Sequence, residues 1–430
     1  MNKLFINALL ILVGLAIFSC KSDDEEAPST GKVSGIITDG ADASGLATAS
    51  ITVFNANDNS PITTVTSGDD GSYEANIEPG TYFTKVTKQG YLSNPAPGLS
   101  AIPFTIVAGE TVTNDITLFA SSDNNLGLMS GKVTSGGVGV SGVLVVASDG
   151  VEAYSAVSDG DGNYTMYNVG TGSYVVSGLI VGYESANVAT SVSLDAETTD
   201  VNIELTAGAA GSLSGSIRNI SAGNLDVDVA LVHPITRETI PGLTTFSSAQ
   251  TYAINNIPTG TYIARATFEN DERVMDPDRI FKFGEPEVTL NGDAQELTFD
   301  ITGSVTINSP TNELATVEPF ETTETTPTFE WTAYSSTSDY VIEVTDATTG
   351  NVIWGGIDQS GSQPVKNIVI PSSQKSIVYN EDGNASVPAL EVGKVYRWRI
   401  FASKDDNNSP TGWTLISGSE DQMGLIKIIE

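Results

Sequence analysis

The chain has 430 residues, with 53 acidic side chains against 19 Lys and Arg, a formal charge of −34 at pH 7. Such a surplus repels phosphate backbones and anionic lipid headgroups, which argues against nucleic acid as a partner. One cysteine and one histidine leave no internal disulfide and no zinc site built on two histidines, so stability has to come from packed cores in roughly three or four domains of ordinary size.

The amino terminus carries Lys3 and then an almost unbroken apolar run from Leu4 to Phe18. That is the layout of a secretory signal, and it is shorter than the ~20 residues a membrane-spanning helix needs. The run ends at Ser19 and Cys20, and four acids follow at Asp23, Asp24, Glu25 and Glu26. "AIFSC" resembles the lipobox of bacterial lipoproteins, with Phe18 standing where that family carries a small residue. "KSDDEE" resembles the acidic export tag of surface-exposed lipoproteins in the Bacteroidetes. The resemblance implies cleavage after residue 19, acylation of Cys20, residues 20–30 as a tether, and a lipid-anchored, surface-exposed place on the cell outer membrane. At least two acyl chains would satisfy the two-signal requirement for stable anchoring. An ordinary cleaved signal with an incidental cysteine is the plainer alternative.

Beyond the signal, short alternating apolar runs are broken by Gly, Asn, Asp, Ser and Thr about every ten positions, which is an all-β rhythm with no helical segment. The chain also repeats itself. "KVSGIIT" (32–38), "MSGKVT" (129–134) and "LSGSIR" (213–218) each set a Ser-Gly pair in an alternating strand. Each is followed by a Tyr and then Gly-x-Tyr: Tyr73, Gly80 and Tyr82; Tyr164, Gly172 and Tyr174; Tyr252, Gly260 and Tyr262. "DDGS" and "DGDGN" supply residues that tolerate positive φ for hairpin turns, and the tyrosine after each turn buries a ring with its hydroxyl left at the edge. Two units close with Gly-Tyr, at Gly90-Tyr91 and Gly182-Tyr183, and the third does not.

This pattern resembles the carboxypeptidase regulatory-like domain, a transthyretin-like or Cna-B-like β-sandwich, at 31–119, 128–206 and 211–302. The resemblance implies accessory modules with no enzymatic activity of their own and no cofactor. Three side readings attach to these units. Asp159, Asp161 and Asn163 match the first ligand positions of a calcium loop, but Tyr164 takes the place that needs glycine, so a hairpin is expected and no metal. A Lys–Asn isopeptide, as in some Cna-B domains, would pair Lys32 with Asn114 or Lys132 with Asn202. His233, at the end of "LDVDVALVHP", reads as a strand-end residue beside a core.

From residue 304 the turn motif stops, and all four tryptophans lie in 304–430. "TTPTFEWTA", "DYVIEVTD" and "VYRWRIFA" stripe one face each and resemble a fibronectin type III or Ig-like core, which makes Trp331 and Trp398 packing residues. The expected architecture is therefore an all-β tandem array of three transthyretin-like sandwiches and one Ig-like domain. Trp354 and Trp413 sit beside glycine-containing loops, either covering the sandwich edge or offering a face to a sugar ring. In the third unit "FENDERVMDPDRIFKFGEPEV" concentrates charge, and Asp271, Arg273, Asp276, Asp278 and Arg279 form either a self-neutralising loop or a recognition patch. The expected function is a non-enzymatic outer-membrane lipoprotein displaying its modules to bind carbohydrate or another surface component. The alternative is an assembly partner that docks onto an outer-membrane protein.

Overall fold

The computed structural model describes residues 29–95, 101–121, 126–221, 226–266, 272–312, 319–420 and 423–430. Cys20, the acids at 23–26 and Asp271 lie outside the described residues. The regular secondary structure of the described residues is nearly all strand, divided among many separate sheets.

The first three units share one topology. In the first, one sheet holds the opening strand Gly31–Asp39 with Ser72–Ile77, Thr111–Thr113 and Ile116–Leu118; the other runs Pro61–Thr66, Ser50–Asn55, Gly80–Thr87, Phe104–Ile106. The second sheet recurs in the same order as Ala153–Val157, Leu144–Ser148, Gly172–Leu179, Val188–Val192, and again as Thr239–Phe246, Asp228–Val232, Gly260–Ala266, Glu287–Leu290. Each opening strand pairs antiparallel with the strand that carries the first motif tyrosine and parallel with the strands that close its unit.

The Ser-Gly and Tyr motifs meet across the opening strand. Gly35 faces Tyr73, Gly131 faces Tyr164 and Gly215 faces Tyr252 in register. Each phenol donates to a carbonyl of the closing segment, Tyr73 to Asn114, Tyr164 to Val201 and Tyr252 to Leu297, all at 2.7 Å. A Cβ on the facing glycine would stand 2.1, 2.1 and 1.8 Å from those same oxygens. Glycine is required because any side chain would occupy the place of the carbonyl that accepts the phenol. These hydroxyls are therefore not left at a solvent edge, and burial pushes the three phenol pKa values up, which keeps them donors. The second tyrosine of each unit also repeats its bond: Tyr82, Tyr174 and Tyr262 donate to the carbonyl four residues back at 2.9 Å.

The turn "SDGDGNY" is a hairpin. Asp159 Oδ1 accepts from the N–H groups of Asp161 and Asn163 at 2.9 and 2.8 Å, and Gly162 takes φ +85°. Lys32 Nζ pairs with Glu74 while the Asn114 carboxamide donates to Thr84, and Lys132 meets Asn202 through its backbone N–H. The last sandwich buries Trp331 and Trp398 at 1% and 0% exposure, with Trp398 4.8 Å from Phe329. One expectation is corrected: among the described residues there is an α-helix, α1, at Pro277–Phe283. Asp276 caps it and a proline opens it, two signals that outweigh the mixed charge of the stretch.

The glycine and tyrosine roles separate by mutation. Tyr164→Phe strands the Val201 carbonyl and is expected to cost about 1–3 kcal/mol. Gly131→Ala is expected to cost at least as much through overpacking. The double variant should not be rescued, because the obstacle to the Cβ is the carbonyl and not the phenol. Denaturant unfolding checks all three.

Candidate functional site at the joints between modules

Trp354 is a core residue. It is 2% exposed, its Nε1 donates to Asp382 at 2.7 Å, and the rings of Tyr379 and Phe329 lie 5.3 and 6.3 Å away. The sugar-facing expectation for Trp354 is thereby corrected. The cause is register: the strand Val352–Gly355 pairs with Asp339–Asp346 so that Trp354 sits opposite the buried Val344.

Trp413 is half-buried where the third unit meets the last sandwich, residues 304–430, called the tip below. Its ring centroid is 5.9 Å from that of Phe281 in α1, and Lys366 Nζ lies 4.9 Å from its centroid. Lys366 is itself held by both oxygens of Asp339 at 2.7 and 2.8 Å and by Ser403 at 2.7 Å. The ring thus lies in a seam and is not a free stacking face.

The charged stretch supplies the other side of that seam. Asp276 caps α1, and burial raises its pKa. Asp278 accepts from Leu415 N–H of the tip at 3.1 Å and from Lys282 at 2.6 Å. Arg273 is buried and donates to the Glu272 carbonyl at 2.8 Å, while Arg237 and Arg265 both bind Glu285. Arg279 is exposed. Of the residues singled out from sequence, Asp278 and Trp413 are brought together, Asp276 and Arg273 support that joint, and Trp354 belongs to the tip core.

The earlier joints use a device that the sequence reading did not assign. Asn168 adopts φ 57° at a bulge between Met166 and Val169, the left-handed region that asparagine tolerates. Its carboxamide accepts from Gly90 N–H at 2.6 Å and donates to the carbonyls of Lys88 and Tyr91, both at 2.7 Å. Asn256 holds the same place in the third unit with φ 57°, and its carbonyl accepts from Gly182 N–H at 2.8 Å. The Gly-Tyr pairs are therefore sockets for the following repeat. The third unit, which no repeat follows, lacks the pair and carries α1 instead. Lys85 ties three units at one point, donating to Ser155 at 3.0 Å and to Glu238.

The second and third units also share a core: Leu144, Val146 and Leu179 pack with Ile240, Leu243 and their neighbours. The first and second units leave between them a cleft of about 130 Å³ lined mainly by hydroxyl, amide and charged groups. His233 serves a turn, its Nδ1 accepting from the N–H groups of Ile235 and Thr236 at 3.3 and 3.1 Å, and burial lowers its pKa. Among the described residues no three His, Cys, Asp or Glu side chains are grouped to hold a metal ion, and no helix is long and apolar enough to cross a membrane.

These features define a class, a β-sandwich repeat protein in which an internal geometry that recurs from unit to unit is joined by module-specific contacts. Residues 32–119 match the model of the carboxypeptidase regulatory-like domain. No curated protein matches the chain. Similar solved structures include the major pilin subunit BcpA of Bacillus cereus, 12% identical over 64% of this chain and 100% of that one, with TM-score 0.19. A DUF3823 family protein from Bacteroides uniformis is 11% identical over 50% of this chain and 98% of that one, with TM-score 0.21. The Bacillus anthracis TIE protein is 14% identical over 64% of this chain, with TM-score 0.19, and the match spans 51% of its length.

Two measurements test these placements. Trp354→Ala should lower folding stability by about 3–5 kcal/mol, as loss of a buried aromatic does, whereas Trp413→Ala should leave the tip core intact and loosen its seam with α1; thermal melts and protease sensitivity of residues 277–285 separate the two. Asn168→Ala removes the socket contacts, so small-angle scattering should show a wider spread of angles between the first two modules while the far-ultraviolet circular dichroism stays unchanged.

Proposed function

We infer that this chain is a non-enzymatic, lipid-anchored protein of the cell outer membrane whose sandwich array displays binding surfaces to the outside. The observation that carries the reading is the unbroken series of specific joints, Gly90 to Asn168, Gly182 to Asn256 and α1 to Trp413, which favour holding modules in fixed relation over letting them swing. A stiff array suits reach and display. Cys20 following an apolar run and preceding four acids supports acylation and surface export. The single histidine, engaged as a turn acceptor, speaks for binding over catalysis.

Carbohydrate or another surface component is the ligand class we favour. Docking onto an outer-membrane protein is the second reading, and it gains from the loss of Trp354 as a free stacking ring. The anchor is tested in cells. Cys20→Ala is expected to abolish lipid labelling and shift the protein out of the membrane fraction, and a labelled product from that variant would overturn the anchor. Replacing Asp23, Asp24, Glu25 and Glu26 with alanine should retain labelling while reducing cleavage by external protease.

A further inference from the structure

The three repeats offer an internal comparison of one surface, the outer face of the second sheet. Cross-strand register aligns its positions. In the first unit Ser50 lies opposite Thr66 and Thr87, and Thr52 opposite Thr64 and Lys85. In the second unit the same positions are Leu144 opposite Val157 and Leu179, and Val146 opposite Ser155 and Ser177. Leu144, Val146 and Leu179 of the apolar version are buried against the third unit, while Ser155 and Val157 line the cleft towards the first. The first unit carries hydroxyls at five of the six places, and these line the cleft opposite Ser155, Ala156 and Val157 and beside Asp159, Asn163, Thr165 and Tyr167 of the second unit.

The substitutions are not needed for the fold. Ile51, Val53 and Val86, on the inner face of the same strands, are fully buried and form the core. Above them Thr66 is exposed, Thr64 and Thr87 are half-exposed, and Thr52 is buried against Thr64; all keep β-branched shape for the sheet, and what they change is the chemistry of the outer surface.

We propose that the cleft between the first two modules is a carbohydrate site that takes a neutral pyranose. This deepens the display reading by naming its ligand and rests on it. Threonine hydroxyls both donate and accept, as sugar hydroxyls do, and a row of them on adjacent strands matches a ring with hydroxyls on successive carbons. An apolar ligand would strip water from these groups without replacing their hydrogen bonds. An anionic ligand is disfavoured, because the cleft's cation, Lys85, is already paired with Glu238 and the other charged group is Asp159. Asp159 uses Oδ1 for two turn N–H groups, and its Oδ2 makes only a long 3.4 Å contact with Asn163. That oxygen is placed to accept from a sugar hydroxyl. Tyr167, half-buried at the wall, supplies a ring for the sugar's C–H face. The cleft, about 130 Å³ and open to solvent, is of the size of one sugar residue of a chain.

The test titrates the full chain, by calorimetry, with a panel of neutral hexasaccharides (cello-, laminari-, xylo-, manno- and malto-series) and with hexagalacturonate as the anionic arm. The variant is Thr66→Val with Thr87→Val, which gives the outer face the apolar character that Val157 and Leu179 have in the second unit and leaves the inner face untouched. The expected result is that a neutral oligosaccharide binds the wild type, that the variant binds it at least tenfold more weakly at an unchanged melting temperature, and that threonine γ-methyl resonances of the cleft shift on titration. Binding undiminished in the variant, with no methyl shift, would place the sugar elsewhere and overturn the site while leaving the display reading standing. Binding of hexagalacturonate alone, or of no oligosaccharide, would also overturn it. The anchor test on Cys20 remains independent of all three outcomes. If the variant melts early, Tyr167→Ala replaces it and should weaken binding severalfold through loss of the ring that faces the sugar; binding unchanged in that variant would overturn the site.

Discussion

The architecture depends on a hydrogen bond made in the space where a glycine has no side chain. In each repeat the opening strand runs between two others, and the phenol of Tyr73, Tyr164 or Tyr252 reaches across it to the carbonyl of the closing segment. The bond can form only because Gly35, Gly131 or Gly215 has no Cβ in the way. One contact thus fixes a hairpin strand, an opening strand and a parallel closing strand, with 37–45 residues between the phenol and the carbonyl it reaches. A buried hydrogen bond adds only about 1 kcal/mol net, but leaving its acceptor unpaired costs more, so the asymmetry acts against any other register. A one-residue slip would also turn every inner side chain outward.

With the inside fixed in this way, the outside of each unit is free to differ, and it does. Between the second and third units the outer face is aliphatic and merges with the neighbour's core. Between the first and second it is hydroxylated and meets the neighbour through Asn168 and Lys85. At the third unit the Gly-Tyr socket gives way to α1, which sets Phe281 against Trp413 and Asp278 against the backbone of the tip. The sandwich is one solution used three times, while each joint has its own chemistry.

Much of the inside was legible in the sequence. Period-two alternation and the spaced Gly and Tyr motifs are local signals, and they identified the repeats, the hairpin at Asp159–Asn163 and the cores around Trp331 and Trp398. What the motifs do with one another was not legible, because the accepting carbonyls of Asn114, Val201 and Leu297 are backbone groups that any residue provides. Trp354 was misjudged because a glycine beside a tryptophan suggests a loop, while a strand register decided by Asp339–Asp346 turns the ring inward. The helix was missed for a different reason. "MDPDRIFKF" contains an N-cap aspartate and a first-turn proline, but its alternating charges suit a recognition loop equally well. The joints at Asn168 and Asn256 need left-handed backbone at a bulge, which a single asparagine in a strand does not announce.

The partition between inner and outer positions also explains how one module of the array can carry a polar cleft without losing its fold. A hydroxyl on the inner face of Ser50–Asn55 would sit among Ile51, Val53 and Val86 with no partner, at a cost of a few kcal/mol. On the outer face the same hydroxyl remains solvated or meets another: Thr52 and Thr64 lie 3.0 Å apart, oxygen to oxygen. What the first module gives up is the dry contact that the second makes with the third, and point contacts stand in its place, Asn168 at the socket and Lys85 at the meeting of three units. Those contacts join the two modules at points, Lys85 meeting Ser155 across the cleft itself, and leave a hollow beside them. A joint sealed along its whole face could not present a concave surface, and a joint without point contacts could not keep one. The first joint meets both conditions, which makes it the place in the array where binding can be tuned by outward side chains while the internal tyrosines continue to set the fold.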